Sequence, residues 1–301
     1  MAVPQLAPPL ISRIRGAVLG LAVCDALGGP VEFQPRGSFP LVTEMLPNDN
    51  FDLPAGAFTD DTSMALCLAH SLLAYNGSHN AVDQVERYLD WQSNGYMSAV
   101  GYCFDIGVST AVSSIQQQIY QAYNREMFCG NGSLMRVLPV ALIATTTTAT
   151  KQEFLADSLR QILVVSDEQN ASTRAGDQTV DRVLTSRLQP YASLDDWKLK
   201  PTSEIRSTGY VVDSLEAALW AFFSTETFED GAIRVVNLGD DADTVGAIYG
   251  GLAGAFYGTE AIPARWLEKL LRVDLLDEVI DGIARYHQRE TEKEKREERD
   301  K

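Results

Sequence analysis

A short acidic stretch stands directly in front of an apolar helical pattern. In FTDDTSMALCLAHSLL, residues 58–73, Thr59, Asp60, Asp61 and Thr62 precede a mostly apolar run. Asp and Thr are common N-cap residues, and carboxylates in a first helical turn complement the helix dipole. One residue suffices for a cap, whereas this stretch has two carboxylates flanked by two hydroxyls. The pattern therefore leaves two interpretations open, a helix cap and an ion-binding site.

A second acid-rich stretch of the same character lies about 180 residues further along the chain. In NLGDDADTVGA, residues 237–247, Asp240, Asp241, Asp243 and Thr244 open another helical pattern. Carboxylates brought together repel each other unless they are protonated or bridged by cations. Oxygen donors with no neighbouring histidine or thiolate suit Mg²⁺, Mn²⁺ or Ca²⁺ better than zinc. Four or more such carboxylates around one point could hold two divalent ions and activate water.

The remaining composition limits the classes of function. The only histidines are His70, His79 and His287, and none adjoins either acidic stretch, which disfavours histidine-based catalysis. The net charge of the 301 residues is −16, and it resides in residues 1–287 because the tail from Gln288 to Lys301 has six basic and six acidic residues. An acidic body disfavours nucleic acid and anionic membrane as partners. A phosphate-bearing ligand would need backbone amides or metal ions.

Targeting and redox features predict a cytoplasmic protein. No apolar run approaches the roughly 18 residues of a membrane span, and the N-terminal segment lacks the pattern of a signal peptide. The four cysteines form no CxxC pair and lie in largely apolar stretches. We therefore expect reduced cysteines in the core.

Hydrophobic periodicity predicts an all-α protein. The predicted helices are 11–28, 61–75, 81–93, 109–124, 133–145, 152–165, 171–184, 210–223, 244–257, 264–271 and 275–288. Val–Val pairs at 164, 211 and 235 could form short strands, but they are too isolated to build a sheet. The stretch 188–208, which contains two prolines, is predicted to be irregular. The charged tail either extends the last helix or frays.

Two predicted helices have small residues at every fourth position. One contains Gly16, Gly20, Cys24 and Gly28, and the other contains the set Gly246, Gly250, Gly254 and Gly258. Glycine inside a helix costs about 0.5–1 kcal/mol relative to alanine. A stripe of this kind either allows a neighbouring backbone to approach closely or fits a crowded core. A close helix crossing would hold the helix ends rigidly.

Four segments together resemble the ADP-ribosylglycohydrolase family. They are, in order, GAVLGLAVCDALGGPVEF, TDDT, GNGSLMRVLPVAL and GDDADTVGAIYGGLAGAFYG. The resemblance covers residues 11–287 and leaves an N-terminal extension, 1–10, and the charged C-terminal tail, 288–301. It implies a single-domain, all-α orthogonal bundle of many helices. It also implies a dinuclear Mg²⁺ or Mn²⁺ centre at the base of a cleft.

The resemblance assigns roles to individual residues. The metal ligands that it implies are Thr59, Asp60, Asp61, Asp241, Asp243 and Thr244. Asp240 stands where many relatives have glycine, so we interpret it as a cap or a supporting group. Glu32, in GGPVEF, matches a glutamate at the mouth of the family's metal site. Its functional interpretation is a general base or gate, and the alternative is a solvated loop acid. Glu32, Asp60 and Asp61 are the implied catalytic residues.

The substrate side has its own matches and departures. Residues similar to the family's substrate-binding segments are Phe104, Asp105, Gly130, Asn131, Gly132, Ser133, Gly209 and Tyr210. Glycines in CGNGSLMRV permit close backbone approach to a diphosphate, and the helix that follows directs amides at an anion. Arg136 is either a phosphate partner or a buried structural arginine. Asp167 and Asp213 depart from the family pattern, because relatives often have histidine at these positions.

The resemblance, together with the acidic stretches, implies a metal-dependent hydrolase that cleaves the glycosidic bond between ADP-ribose and an acceptor, with ADP-ribosylarginine as the expected substrate type. The expected partners are an ADP-ribosylated protein or a small ADP-ribosyl or arginine-derived molecule, and we expect a monomer. One alternative is hydrolysis of a guanidinium group to a ureido group and ammonia, with Asp167 and Asp213 as added carboxylates that could hold the guanidinium. Another is a non-catalytic ADP-ribose-binding or structural protein.

Overall fold

The protein folds as an assembly of α-helices. The computed structural model describes residues 8–104, 130–144, 183–184, 186–191 and 193–299. Its α-helices are α1 (Leu10–Gly28), α2 (Asp60–Ala74), α3 (Ala81–Asn94), α4 (Gly132–Arg136), α5 (Leu138–Ile143), α6 (Leu194–Leu199), α7 (Val211–Ser224), α8 (Phe228–Val236), α9 (Ala242–Tyr257), α10 (Ala264–Leu267) and α11 (Val273–Arg299). Short 3-10 helices lie at Gly29–Val31, Thr202–Glu204 and Thr259–Ala261. Over these ranges the backbone forms isolated β-bridges but no strand. The all-α prediction is confirmed.

Most predicted helices within the described residues are confirmed, and two differ. The predicted helix 264–271 is the shorter α10, which ends at Leu267. The predicted helix 133–145 is two helices, α4 and α5, with Pro139 in the first turn of α5. Proline has no N–H to donate and disfavours helix in the residue before it, so one continuous helix is interrupted there. The predicted helices 109–124 and 152–165, and residues 171–182 of the helix 171–184, lie outside the described residues.

Two helices were not predicted. The irregular stretch 188–208 contains α6, which begins with a capping box between Ser193 and Asp196. The Val–Val pair at 235, considered as a strand, belongs to α8, where the Thr227 side chain accepts from the backbone N–H of Asp230. The pair at 211 begins α7. Both missed helices follow an S/T-x-x-D cap pattern, which was a usable signal.

The C-terminal tail continues the last helix. Helix α11 buries Leu276, Val279, Ile280 and Ile283, and its helical conformation extends to Arg299. Residues 291–299 are exposed. Of the two interpretations of the tail, extension of the helix is therefore correct. In the part of the chain that the structure describes, no helix has both the length and the apolar character needed to cross a membrane.

The two glycine-striped helices, α1 and α9, pack against each other antiparallel at backbone distance. A methyl group placed on Gly16 would lie 2.3 Å from the carbonyl oxygen of Gly254, and one on Gly20 would lie 2.3 Å from that of Gly250. Further along, a methyl on Gly246 would lie 2.6 Å from the carbonyl oxygen of Cys24. Close approach of two backbones, rather than general crowding, explains the stripes. The crossing brings the C-terminal end of α1 beside the N-terminal end of α9.

We predict that Gly250→Ala destabilises the fold strongly. Its methyl group would lie 2.0 Å from the carbonyl oxygen of Gly20, which belongs to a helix backbone and cannot move aside. We expect the free energy of unfolding to fall by about 3 kcal/mol, measured by chemical denaturation. The matched control is the next residue of the same helix, Gly251, where a methyl would meet the flexible side chain of Leu138 at 3.3 Å. Gly251→Ala should be near neutral, and equal effects of the two substitutions would contradict this account.

Candidate metal centre

The two acid-rich stretches meet at the N-terminal ends of α2 and α9. The hydroxyl of Thr244 lies 3.3 Å from Oδ2 of Asp61, and the hydroxyl of Thr59 lies 3.2 Å from the same oxygen. Residues separated by 183 positions are thus in hydrogen-bonding contact. The predicted meeting of the two stretches in space is confirmed.

Carboxylate oxygens gather in two overlapping groups. Asp25, Asp61 and Asp243 each place an oxygen within 4.8 Å of the others, and so do Glu32, Asp241 and Asp243. Asp243 belongs to both groups and therefore lies at the centre of the cluster. Such spacing of buried carboxylates is unfavourable without a compensating charge. The arrangement could hold one or more cations.

Burial and like charge act on these groups in the same direction. Asp61 and Asp243 are only 1% and 2% exposed. Burial raises the pKa of Asp61 well above its usual value, and the neighbouring Asp25 and Asp60 carboxylates raise it further. Burial likewise raises the pKa of Asp243, with added effects from Glu32 and Asp61. Without a cation, therefore, the ionised form of both groups is strongly disfavoured.

The donor set of this cluster fits a hard divalent cation. Oδ1 of Asp61 and Oδ1 of Asp243 are buried and accept no hydrogen bond within the described ranges. A buried oxygen of this kind is costly unless something satisfies it. Because all the available donors are carboxylate or hydroxyl oxygens, Mg²⁺, Mn²⁺ or Ca²⁺ would suit the site better than zinc.

Asp60 and Asp240 occupy different surroundings from the residues beside them. Asp60 is the first residue of α2 and is 8% exposed. It belongs to neither group of three close carboxylates among the described residues, although its charge acts on Asp61. Asp240 is exposed, with a left-handed φ of 55°, and its backbone bonds to Phe33 and Gln34. This geometry agrees with the interpretation of Asp240 as a supporting group.

Glu32 is part of the carboxylate cluster. It follows the 3-10 helix Gly29–Val31 at the end of α1 and is 4% exposed. Its carboxylate lies within 4.8 Å of those of Asp241 and Asp243. The alternative of a solvated loop acid is therefore wrong. Close packing of α1 on α9 places this loop beside the second acid-rich stretch.

Asp25, which the sequence analysis did not select, is the anchor of α2. Its carboxylate is fully buried and accepts from the backbone N–H and hydroxyl of Thr59, at 2.9 and 2.8 Å. It also accepts from the N–H and hydroxyl of Thr62, at 3.1 and 2.5 Å. Burial raises the pKa of Asp25 and the hydrogen bonds from Thr59 and Thr62 lower it. The effect of burial is larger, so the pKa is raised to about 6. A lone carboxylate in the apolar run GLAVCDALGG was the signal available, because buried acids require partners.

Two predicted substrate-binding segments lie side by side against the cluster. The side-chain amide of Asn131 donates to Oδ2 of Asp241 at 2.6 Å and to the hydroxyl of Ser214 at 2.9 Å. The backbone N–H of Asn131 donates to the carbonyl oxygen of Gly209 at 3.0 Å, and Gly130 forms a β-bridge with Tyr210. A methyl on Gly209 would lie 3.3 Å from Oδ2 of Asp241.

The other predicted substrate contacts vary in their surroundings. Ser133 is exposed, Gly132 is half-buried, and both lie in the five-residue helix α4. The ring of Phe104 packs against that of Phe51, with ring centroids 5.7 Å apart. Asp105 lies outside the described residues, as does Asp167. The segments around Asn131 and Gly209 are therefore in contact, and the prediction for Asp105 stays a prediction.

Arg136 points into the protein. Its guanidinium donates to the carbonyl oxygen of Gly132, lies 3.5 Å from the sulfur of Met64, and sits 5.3 Å from the centre of the Tyr88 ring. These contacts join α4 to α2 and α3. They favour the structural interpretation of Arg136 over that of a phosphate partner.

Comparison with known proteins places this chain in a family. The family model described as ADP-ribosylglycohydrolase matches residues 6–164 and 146–295. This chain belongs to the ADP-ribosylglycohydrolase family. The expectation of a hydrolase of this family is therefore confirmed.

Several members of the family are similar over most of the chain. ADP-ribosylarginine hydrolase Tri1 of Serratia proteamaculans (strain 568) is 32% identical over 305 residues, which cover 91% of this chain and 79% of that protein. ADP-ribosyl-[dinitrogen reductase] glycohydrolase of Rhodospirillum rubrum is 30% identical over 290 residues, 87% and 92% of the two chains. A solved structure described as "ADP-ribosylglycohydrolase-related protein complex" is 36% identical, with a TM-score of 0.64 and coverage of 92% of this chain and 98% of that chain.

Asp213, one of this chain's departures from the family pattern, is paired with the protein's own arginines. Its buried carboxylate lies 3.1 Å from the guanidinium of Arg187 and 2.9 Å from that of Arg206. The hydroxyl of Thr208 donates to it at 2.8 Å. Arg187 also pairs with the buried Glu216 at 2.6 Å. Asp213 therefore belongs to an internal ion network at the start of α7.

We predict that divalent cations stabilise the wild-type protein through the buried cluster. In EDTA, Asp243→Asn should raise the melting temperature, because asparagine avoids the free energy that folding spends on protonating this carboxylate or on burying it as a charge beside other acids. Mn²⁺ or Mg²⁺ should raise the melting temperature of wild type, because a cation that binds only the folded state stabilises it. The same cations should raise the melting temperature of Asp243→Asn much less. Asp240→Asn is the matched control, since it removes an exposed neighbouring charge and should respond as wild type does. A wild-type protein indifferent to both cations would refute the assignment.

We also predict that Asp25 stabilises the protein more than an ordinary helix cap does. Asp25→Ala would leave the N–H of Thr59 and both donors of Thr62 without their acceptor, and the Thr59 hydroxyl with Asp61 alone, so we expect a loss of about 3 kcal/mol or more in unfolding free energy. Asn80, the N-cap of α3, accepts from Val82 and Asp83 at a more exposed position. Asn80→Ala should cost about 1 kcal/mol. Similar losses in the two variants, measured by urea denaturation, would contradict the anchoring role.

Proposed function

We propose that this protein is a metal-dependent hydrolase that releases ADP-ribose from ADP-ribosylarginine. The observation that carries the proposal is the group formed by the buried Glu32 and Asp243 and the half-buried Asp241, whose carboxylates converge within 4.8 Å. Similarity to two proteins named ADP-ribosylarginine hydrolase Tri1, at 32% and 35% identity, supports arginine as the acceptor.

Residues of both acid-rich stretches would hold the cation centre. The proposed ligands are Thr59, Asp60, Asp61, Asp241, Asp243 and Thr244. Two overlapping carboxylate groups that share Asp243 support two ion positions, which we assign to Mg²⁺ or Mn²⁺. Divalent cations bound there would act as Lewis acids on the ribose hydroxyls and would lower the pKa of a water molecule.

Glu32 is proposed to accept a proton from the attacking water. The oxygen of that water forms a bond to the anomeric carbon of the ribose, and the bond from this carbon to the arginine nitrogen breaks. The proton released by water passes to the Glu32 carboxylate and from there to the departing guanidine group, so free ADP-ribose and arginine result and Glu32 is again ionised. Glu32 is placed for this role because its carboxylate lies within 4.8 Å of Asp241 and Asp243, two of the proposed ligands, and a general base must lie within hydrogen-bonding reach of the water it deprotonates.

The segments around Asn131 and Gly209 are proposed to form the substrate side. Asn131 keeps Oδ2 of Asp241 in place through its 2.6 Å hydrogen bond. Gly130, Gly132, Ser133 and Tyr210 lie on the same side, and the remaining proposed contacts are Phe104 and Asp105. Gly209 has no side chain to cover Oδ2 of Asp241. A methyl group at this position would lie 3.3 Å from that oxygen and would restrict access to it.

One residue that favoured hydrolysis of a guanidinium group is not available to bind a substrate. Asp213 was a candidate for holding a substrate guanidinium, but its carboxylate is paired with Arg187 and Arg206. A non-catalytic ADP-ribose binder would have no need for a buried cluster that includes Glu32. We therefore propose glycosidic bond cleavage in preference to both alternatives.

The wider setting follows from the same reasoning. We propose residues 11–287 as the catalytic domain, acting as a cytoplasmic monomer on ADP-ribosylated protein or a small ADP-ribosyl compound. The net charge of −16 disfavours nucleic acid and anionic membrane as partners.

Mass spectrometry of reaction products tests the proposed function. An ADP-ribosylarginine peptide incubated with the protein and Mn²⁺ should yield ADP-ribose and unmodified arginine, and EDTA should prevent the reaction. Ammonia together with a ureido product from arginine derivatives would instead establish the guanidinium reaction. Tight calorimetric binding of ADP-ribose without cleavage would establish the non-catalytic alternative.

We predict that Asp60→Ala and Asp243→Ala each leave a folded helical protein whose kcat falls at least about 1,000-fold, because each loses a proposed ligand. Glu32→Gln should lower kcat about 100- to 10,000-fold while cation-induced stabilisation persists. Circular dichroism checks the fold, and release of ADP-ribose measures kcat. Asp240→Asn should keep wild-type kcat. Full activity in Asp60→Ala or Asp243→Ala would refute the ligand assignment.

A further inference from the structure

Phe33 combines two unfavourable features at one position. Its φ is 64°, in the left-handed region, and its side chain is 67% exposed. An aromatic residue is strained in this region, where glycine or asparagine fits well. Little burial compensates for that strain, and over the described ranges the ring contacts no other ring or cation. The position is therefore poorly explained by stability.

Hydrogen bonds hold the backbone of Phe33 in its strained conformation. Its N–H donates to the carbonyl oxygen of Asp240 at 2.7 Å, and the N–H of Asp240 donates back to the carbonyl oxygen of Gln34 at 2.8 Å. Asp240 itself has a φ of 55°. This reciprocal pair ties the loop after Glu32 to the stretch that contains Asp241.

Arg36 reinforces the same junction. Its guanidinium donates to the carbonyl oxygen of Leu238 at 3.2 Å and to that of Ile205 at 2.5 Å, and it also bonds that of Thr202. Three segments of the chain therefore converge on one side chain. Strained backbone that is fixed by its surroundings concentrates at functional sites.

The position of Phe33 indicates which part of a substrate its ring could reach. Glu32 points into the carboxylate cluster, whereas the adjacent residue, with its Cα about 3.8 Å away, presents its side chain outward. On the proposed function, Glu32 lies beside the anomeric carbon. The acceptor is attached to that carbon, whereas the adenine lies beyond the diphosphate. The outward ring is therefore nearer the acceptor than the nucleobase.

We propose that Phe33 is a specificity-determining residue whose ring stacks on the guanidinium of the arginine acceptor. This inference rests on the proposed function. A guanidinium is a flat cation that stacks on aromatic faces. The interaction explains why an exposed aromatic side chain occupies a backbone conformation that suits asparagine.

Steady-state kinetics of Phe33→Asn test the proposal. Asparagine tolerates the left-handed region, so the melting temperature should be equal to or above that of wild type. The KM for an ADP-ribosylarginine peptide should rise about tenfold, whereas kcat should stay within about twofold of wild type. The reason is that the lost contact stabilises the bound substrate and the transition state equally. The inhibition constant of free ADP-ribose should stay within about twofold, since that product lacks the acceptor. Phe33→Tyr, which keeps the ring, should retain the wild-type KM.

Tyr75→Asn is the matched control. It removes an exposed aromatic ring from the end of α2 opposite the metal centre, and should leave KM unchanged. An unchanged KM in Phe33→Asn would overturn the proposal, as would an equal rise in KM and in the ADP-ribose inhibition constant. A marked fall in melting temperature would overturn it by showing a structural role. If wild type turns over no ADP-ribosylarginine, the proposed function itself fails, and that outcome is separate from the others.

Discussion

The backbone contact between α1 and α9 is the constraint on which the rest of the structure depends. At Gly16, Gly20 and Gly250 a methyl group would come within 2.3 Å of a facing carbonyl oxygen, so the two helices have no room for side chains at these positions. Each helical glycine costs about 0.5–1 kcal/mol in backbone entropy. The close approach offsets this cost through extensive van der Waals contact between the helices.

This contact also sets the register of the functional groups. Because residue 16 faces residue 254 and residue 20 faces residue 250, the antiparallel crossing brings Gly28 against Ala242. Asp25 and Glu32 at one end of α1 are thereby placed beside Asp241 and Asp243 at the start of α9. A slip of α1 along α9 would move the acids at the end of α1 away from those at the start of α9. The glycine spacing and the acidic stretches are therefore two parts of one arrangement.

The sequence predicted the helical fold and the meeting of the acidic stretches, because each leaves a periodic or local signal. It offered the close crossing only as one of two interpretations of the glycine stripes. It did not reveal Asp25, whose role depends on the distant Thr59 and Thr62, or the burial of Glu32, which depends on how α1 packs. The caps at Ser193 and Thr227 are local signals for helices, but prolines in the first segment and paired valines in the second favour non-helical structure. The missed features are those decided by contacts between elements that are distant in sequence.

The buried acids differ in how completely the protein pairs their carboxylate oxygens, and this difference indicates their roles. Asp25 accepts four hydrogen bonds from Thr59 and Thr62, so its charge is satisfied by the protein and it serves as an anchor. Asp213 is likewise satisfied by two arginines and Thr208. Asp61 and Asp243, by contrast, each have a buried oxygen without a donor in the described part of the chain. Since Asp25 and Asp213 are paired by the protein itself, the unpaired oxygens of Asp61 and Asp243 are the ones that a cation could satisfy.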